Sequence, residues 1–303
     1  MSLNESDLSP AHRIGQAQVL LSATQPVRVQ RVEVTQAVAS HDHDYVEVCV
    51  VLGGSAVHRT TTGHSVLSVG DAVVVPPGAV HAFDAPAGLR VANLYHLSEW
   101  LLADVRALWE APALSALFVA PVVFANRRPP RALQWPLERS SFAAVKRELT
   151  DLEVELARPT PLPLMLRATL TKLLLRLARS FKAQSGPEQR VDLPAEVAWT
   201  VDAAERAIAS GQPLRIEAVA EAVGCSPEHL SRQFRAAIGE PPTRYFQRRR
   251  VQAAAALLLR ADQSVTDIAH ELGFADTAHL TRQFKTHASL TPTDYRKRYT
   301  AGV

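Results

Sequence analysis

The sequence predicts an α+β protein of two domains: a small N-terminal β-barrel followed by helices, then a C-terminal all-α domain built from two helix-turn-helix units. Three observations carry this prediction. Valine-rich, alternating segments punctuated by glycine and proline fill most of the first hundred residues; the chain beyond Pro194 has helical periodicity; and one stretch of that C-terminal part occurs twice.

The 303 residues provide length for about two domains of roughly 100–200 residues each. A content of 47% hydrophobic and 21% charged residues is a globular balance and argues against wholesale disorder. Cys49 and Cys225 are too few and too far apart for a disulfide framework, which fits a reducing compartment. The N-terminus, MSLNESDLSP, has neither the basic start nor the apolar core of a leader, and no stretch approaches about 18 uninterrupted apolar residues. The expectation is a soluble, cytoplasmic protein without a membrane partner.

Net charge is +3, but the total conceals an uneven distribution. Residues 1–126 carry 6 Lys/Arg against 11 Asp/Glu, residues 127–190 carry 13 against 6, and residues 191–303 carry 14 against 13. Within the last third the acids come first and the arginines cluster later. Such asymmetry points to a nucleic-acid face more than the average does.

In chain order, residues 1–25 are expected to be a flexible segment and residues 26–98 the barrel. VRVQRVEV alternates, YVEVCVVL and SVLSVGDAVVVPP are valine-rich, and Gly53-Gly54, Gly63, Gly70, Pro76-Pro77-Gly78 and Pro86 are expected to mark turns. Residues 99–183 read as helical. Ser141 is expected to cap a helix carrying Val145, Leu149, Leu152 and Leu156, and a second helix carries Leu166, Leu170, Leu173, Leu174 and Leu177. These leucine stripes suit a dimerisation surface and core packing on the barrel equally well; their basic flanks read as a solvated face. Gln184 to Pro194, QSGPEQRVDLP, has the composition of a linker. Residues 195–303 form the C-terminal domain.

The duplication lies in this last domain. HLSRQFRAAIGEPPTRY from His229 matches HLTRQFKTHASLTPTDY from His279, pairing Arg232 with Arg282, Phe234 with Phe284 and Tyr245 with Tyr295. Each copy has the signals of a helix-turn-helix, at about 216–238 and 265–287: a short support helix, a glycine stop at Gly224 or Gly273, and a second helix with Leu230/Phe234 or Leu280/Phe284 turned inward. That leaves Glu228, Ser231, Arg232 and Arg235 on the outer side of one helix, and Thr277, Ala278, Thr281, Arg282 and Lys285 on the other. Arginine can bond guanine bidentately in the major groove, and small hydroxyl residues can bond bases or phosphates. Arg248, Arg249 and Arg250, near the start of the joining helix, read as phosphate or structural contacts. Two units on one rigid helix would reach successive major grooves without needing a palindrome.

These motifs, SPEHLSRQFRAAIGEPPTRY, RRRVQAAAALLL, SVTDIAHELGFADTAHLTRQFK and TPTDYR, resemble the AraC/XylS family of bacterial transcription regulators over about 100 residues, from Val197 to Arg298. The resemblance implies a DNA-binding domain of two helix-turn-helix motifs bridged by a long helix. Its implied partners are double-stranded promoter DNA, a small-molecule effector, RNA polymerase and a second copy of the chain. Ser289 departs from the family, which has glycine before the Thr-Pro.

In the N-terminal domain, His41 and His43 share one face of a strand, Glu47 is expected four residues on along that same face, and His81 comes after Pro-x-Gly. The spacing resembles the cupin superfamily, whose first motif supplies His-x-His and Glu and whose second supplies His. Imidazole and carboxylate donors suit a divalent transition metal. The same four residues could instead line a metal-free polar pocket for an effector such as a sugar. Asn93 to His96, NLYH, also resembles sensor domains of rhamnose-operon regulators. The expected function is therefore a ligand-responsive, sequence-specific DNA-binding regulator and no enzyme. The alternative from another class is a metal-dependent cupin enzyme, a dioxygenase or isomerase, with the helical domain as an accessory.

Overall fold

The structure is a computed structural model. It describes residues 8–22, 25–97, 100, 114, 117–118, 131–184, 194–258, 263–288 and 290–300. Most of the expected linker 184–194, Ser289 and much of residues 99–130 lie outside the described residues.

The N-terminal domain is one eight-stranded sheet. Its strands are β1 (His12–Ile14), β2 (Val27–Val34), β3 (Val38–His43), β4 (Val46–Thr60), β5 (Gly63–Leu67), β6 (Asp71–Val75), β7 (His81–His96) and β8 (Leu133–Pro136). The sheet runs β1-β3-β7-β4-β6-β8, with β2 added to β7 and β5 to β4. β4 and β7 are long enough to serve two neighbourhoods: the far halves pair Val57–Thr60 with His81–Asp84, and the near halves pair Val46–Val51 with Val91–His96.

Strand periodicity sorts the side chains. Cys49, Val51, Val73, Val75 and Val91 point to one face and join Ala56, Leu67, Phe83 and Leu89 in an enclosed core. Val48, Val50, Ala72, Val74, Ala92 and Leu94 point to the other face and pack with the helices that follow. A sheet buried on both faces explains why these strands read as nearly continuous valine runs.

Several expectations are corrected. Residues 12–21 are not a loose segment: β1 pairs in parallel with β3, setting His12 opposite His41, and a short 3₁₀ turn (Gln16–Val19) follows, anchored by Gln16 bonds to Asp44. Gly53-Gly54 is not a turn but a bend inside β4, where the register shifts repeatedly against β7. Gly54 has φ +68° and a Cβ there would meet Gly88 O at 2.1 Å, so the backbone crossing itself requires glycine. Pro86 likewise lies within β7. The region assigned to helices also supplies β8, which pairs with β6.

Two helices follow, α1 (Arg139–Leu156) and α2 (Pro163–Gln184). α1 begins at Arg139 with Glu138 at its N-cap position and no side-chain cap, so Ser141 lies inside the helix. Val145, Leu149, Leu152, Leu166, Leu170, Leu173, Leu174 and Leu177 are all buried. The leucine stripes are thus mainly core, with Leu156 partly buried at the end of α1. Of the basic flank, Lys172 and Arg176 pair with the buried Glu148, at 3.0 and 2.9 Å.

The C-terminal domain consists of α3 (Ala195–Ala209), α4 (Ile216–Ala222), α5 (Pro227–Ile238), α6 (Pro242–Leu258), α7 (Val265–Glu271), α8 (Thr277–Ala288) and α9 (Pro292–Thr300). The sequence duplication is a duplication of contacts. Phe234 meets Tyr245 edge-on with ring centroids 5.5 Å apart, and Phe284 meets Tyr295 in the same way at 5.2 Å. Ser226 caps α5 by accepting from His229 N, and Ser264 with Asp267 forms a full capping box on α7. The run of three arginines in α6 is structural. Arg248 bonds Glu240, Arg249 bonds Glu205 of α3, and Arg250 bonds the Leu272 carbonyl; the latter two arginines are buried, which removes the phosphate reading for them.

Candidate effector pocket and nucleic-acid interface

β3, β4 and β7 bring His41, His43, Glu47 and His81 together inside the N-terminal sheet domain, all of them buried. Donor atoms of His41, Glu47 and His81 lie within 4.8 Å of one another. His43 Nε2 is 3.5 Å and His81 Nε2 3.8 Å from the Glu47 carboxylate. Asp44-Tyr45 separates β3 from β4, so Glu47 reaches the cluster from the next strand and not by continuing the period of β3.

The backbone fixes how two of these rings present themselves. His41 Nδ1 lies 3.0 Å from Ala39 O and His43 Nδ1 2.8 Å from Tyr45 O. A carbonyl can only accept, so each Nδ1 carries the proton and each Nε2 offers a lone pair. Tyr45 stacks on His43 at 4.4 Å and holds its plane. His43 Nε2 and both nitrogens of His81 are buried without a hydrogen-bond partner. Burial pushes the His43 imidazole down to about 4, lowers those of His41 and His81, and lifts the Glu47 carboxyl to about 7. Neutral imidazoles with unshared lone pairs converging on a carboxylate form a donor set that fits a divalent transition metal.

His58 belongs to the same cluster. It lies 1% exposed, with its ring 5.7 Å from that of His81 and the Gln134 side chain as a hydrogen-bonding neighbour. Burial lowers it to about 4. Sequence reading missed it because the bulges at Gly53–Val57 reverse the parity of β4: odd residues point inward before the bend and even ones after it. His12, stacked on His41 at 5.6 Å, was missed with the N-terminal strand.

A separate buried histidine gives a pH test. Burial depresses His96 to about 4, so below about pH 6.5 the unfolded chain takes up a proton that the folded chain refuses. Stability from this residue is complete above about pH 6.5 and is lost as pH falls, on the order of 2 kcal/mol between pH 7 and 5. Urea midpoints at the two pH values should therefore lie closer together in His96→Gln than in the wild type; an unchanged gap contradicts the assignment.

On the reading helices, Leu230, Phe234, Leu280 and Phe284 are fully buried. Arg232, Arg235, Ala278, Arg282 and Lys285 are exposed, and Ser231, Thr277 and Thr281 partly so. Some hydroxyls have internal duties: Thr281 donates to Thr277 O at 2.8 Å, and Thr277 bonds Thr266 of the support helix at 3.3 Å. Glu228 is exposed but bonds its own backbone N–H and Ser226, which hold its carboxyl below the usual range. The capping role competes with base contact there, so the arginines and Lys285 are the principal outward groups.

Two family descriptions match the chain: an AraC-like ligand binding domain over residues 28–118 and a helix-turn-helix domain over residues 219–298. The chain belongs to the AraC family of transcription regulators. The AraC-type chain is 25% identical over 277 residues to the HTH-type transcriptional activator RhaS of Enterobacter sp. (strain 638), covering 91% of this chain and 94% of the relative. It is 24% identical over 273 residues to RhaS of Pectobacterium carotovorum, covering 86% and 88%. Among solved structures it is similar to ToxT from Vibrio cholerae, at 12% identity and a TM-score of 0.43, covering 91% of this chain and 98% of that one. The AraC-family assignment makes the protein a DNA-binding regulator with an N-terminal ligand-binding domain and not an enzyme. Among the described residues no helix is long and apolar enough to cross a membrane.

Proposed function

We propose that this regulator holds a divalent transition metal at His41, His43, Glu47 and His81, with His58 beside them, and that occupancy of this site controls its binding to promoter DNA. The observation that carries the reading is the set of buried histidine nitrogens without hydrogen-bond partners. Leaving such groups unsatisfied costs about 1–3 kcal/mol each, and coordination removes that cost. A bound metal would supply positive charge and directional coordination. The chain's own residues orient the rings, through Ala39 O and Tyr45 O, and exclude water by burial.

A sugar or related metabolite is the second reading, favoured by the one carboxylate and the ring nitrogens able to bond hydroxyl groups. The regulator would act in the cytoplasm as a homodimer and contact RNA polymerase at its promoters. Among the described residues, exposed Leu162, Leu164 and Met165 around the start of α2 offer one apolar surface for a second copy.

Equilibrium dialysis against Zn²⁺, Ni²⁺ and Mn²⁺, with thermal unfolding alongside, tests the proposal. One metal per chain is expected, with about 2.7 kcal/mol of stabilisation at a hundredfold excess over Kd. His81→Ala should lose both. Stabilisation by a sugar panel without metal uptake favours the second reading, and no response to either overturns the assignment of this cluster as the effector site.

A further inference from the structure

The loop that leads into the first helix-turn-helix unit touches the turn of the second. Gly211, in the turn between α3 and α4, has φ +64°, and a Cβ there would lie 2.5 Å from Glu271 O. Gly273, the stop between α7 and α8, has φ +68°, and its Cβ would lie 2.1 Å from Gly211 O. Backbone therefore meets backbone across this contact, with no room for a side chain on either.

α6 is fastened to both sides of this junction by adjacent residues. Arg249 grips Glu205 of α3 with Nε and one terminal nitrogen, at 2.8 and 3.1 Å, and Tyr245 donates to the same carboxylate at 3.2 Å. Arg250 donates from Nε to Leu272 O at 3.0 Å, and its guanidinium lies 3.9 Å from the centre of the Phe274 ring and 5.3 Å from that of Phe246. The segment Leu272–Phe274 is the turn that leads into the second reading helix. One face of α6 thus holds α3, which leads into the first unit, the next residue holds the turn of the second, and the glycine contact closes the loop between them.

We infer that Arg250, Gly211 and Gly273 are positioning residues that set the distance and phase between the two DNA half-sites this regulator reads. α6 packs against α7, α8 and α9; clamping the turn immediately before α8 adds a polar and backbone-to-backbone constraint on the angle of the second reading helix. Each added base pair moves the second half-site by about 3.4 Å and roughly 35° around the duplex, so a clamped pair of reading helices tolerates little change in spacing.

The test uses the full chain and an operator selected from random-sequence duplexes with the wild-type protein. Affinity is measured for that operator, for versions with one or two base pairs inserted or deleted between the half-sites, and for fragments carrying a single half-site. For the wild type, a one-base-pair change should cost about 100-fold, since it forfeits bidentate contacts of one helix. In Arg250→Gln the penalty should shrink to about tenfold or less, with half-site affinities unchanged. Arg250→Lys, which keeps a donor and a cation over Phe274, should restore most of the wild-type profile. Gly211→Ala serves as the second route to the same loosened state. A wild-type spacing profile in Arg250→Gln overturns the proposal, as does an equal loss on isolated half-sites. If Arg250→Gln and Gly211→Ala both fail to unfold cooperatively, the junction is a folding determinant only and the proposal also fails.

Discussion

Replacing Arg232 and Arg282 together with alanine should lower affinity for the selected operator by about 10²–10⁴-fold while leaving the fold intact. The two residues are equivalent in the duplication, both exposed, and each sits two positions after an inward-facing leucine that anchors its helix. A bidentate arginine–guanine contact is worth about 1–3 kcal/mol of discrimination, and two distant contacts add. Affinity for competitor DNA should change far less, because phosphate contacts supply most non-specific binding. Each single variant should relax the sequence preference at one half-site only. A double variant that binds operator and competitor as the wild type does would mean that other residues read the bases.

Glu205→Ala should destabilise the DNA-binding domain by about 3–5 kcal/mol. Arg249 is 2% exposed, and Glu205 supplies both of the carboxylate bonds that compensate its charge, while also accepting from buried Tyr245. Removing the carboxylate leaves a buried cation with only neutral side-chain neighbours, Gln252 at 2.6 Å and the Tyr245 hydroxyl, among its recorded partners. Converting the pair as a whole, with Glu205→Leu and Arg249→Met, should recover most of the loss, since the penalty lies in the unpaired charge and not in the missing ion pair. Amide exchange in α6 against denaturant reads the domain's own stability in the full chain. A loss under about 1 kcal/mol would show that Arg249 can reach water.

The two helix-turn-helix units of the C-terminal domain were legible in the sequence. Their signals are local: Ser226-Pro227 and Ser264 are caps readable within four residues, and the duplication supplied an internal check, since Phe234/Tyr245 and Phe284/Tyr295 had to play one role twice. The role of Arg249 and Arg250 was not legible. A basic run reads the same whether its partners are phosphates or Glu205 and Leu272 O, which lie tens of residues away in sequence.

In the barrel, the identity of the cluster was visible but its geometry was not. Donor atoms of His41, Glu47 and His81 lie within 4.8 Å of one another, with His43 beside Glu47 but outside that group, and Glu47 arrives from a different strand. His58 stayed hidden behind a change of register that glycine permits and no periodicity reports. The strands β1 and β8 are short and pair across long sequence separations, so nothing local marked them against their surroundings. The leucine stripes of α1 and α2 were read correctly as amphipathic, and only packing could decide that the barrel domain already buries them.

The most direct test of the coupling between barrel and reading helices is operator affinity of the full chain, metal-loaded and after chelation, in the wild type and in His81→Ala. Site-to-site coupling of about 1–3 kcal/mol corresponds to a change of roughly 5–150-fold. A change of that size in the wild type, absent in His81→Ala, is the predicted result. Equal operator affinity with and without metal in the wild type would contradict the account.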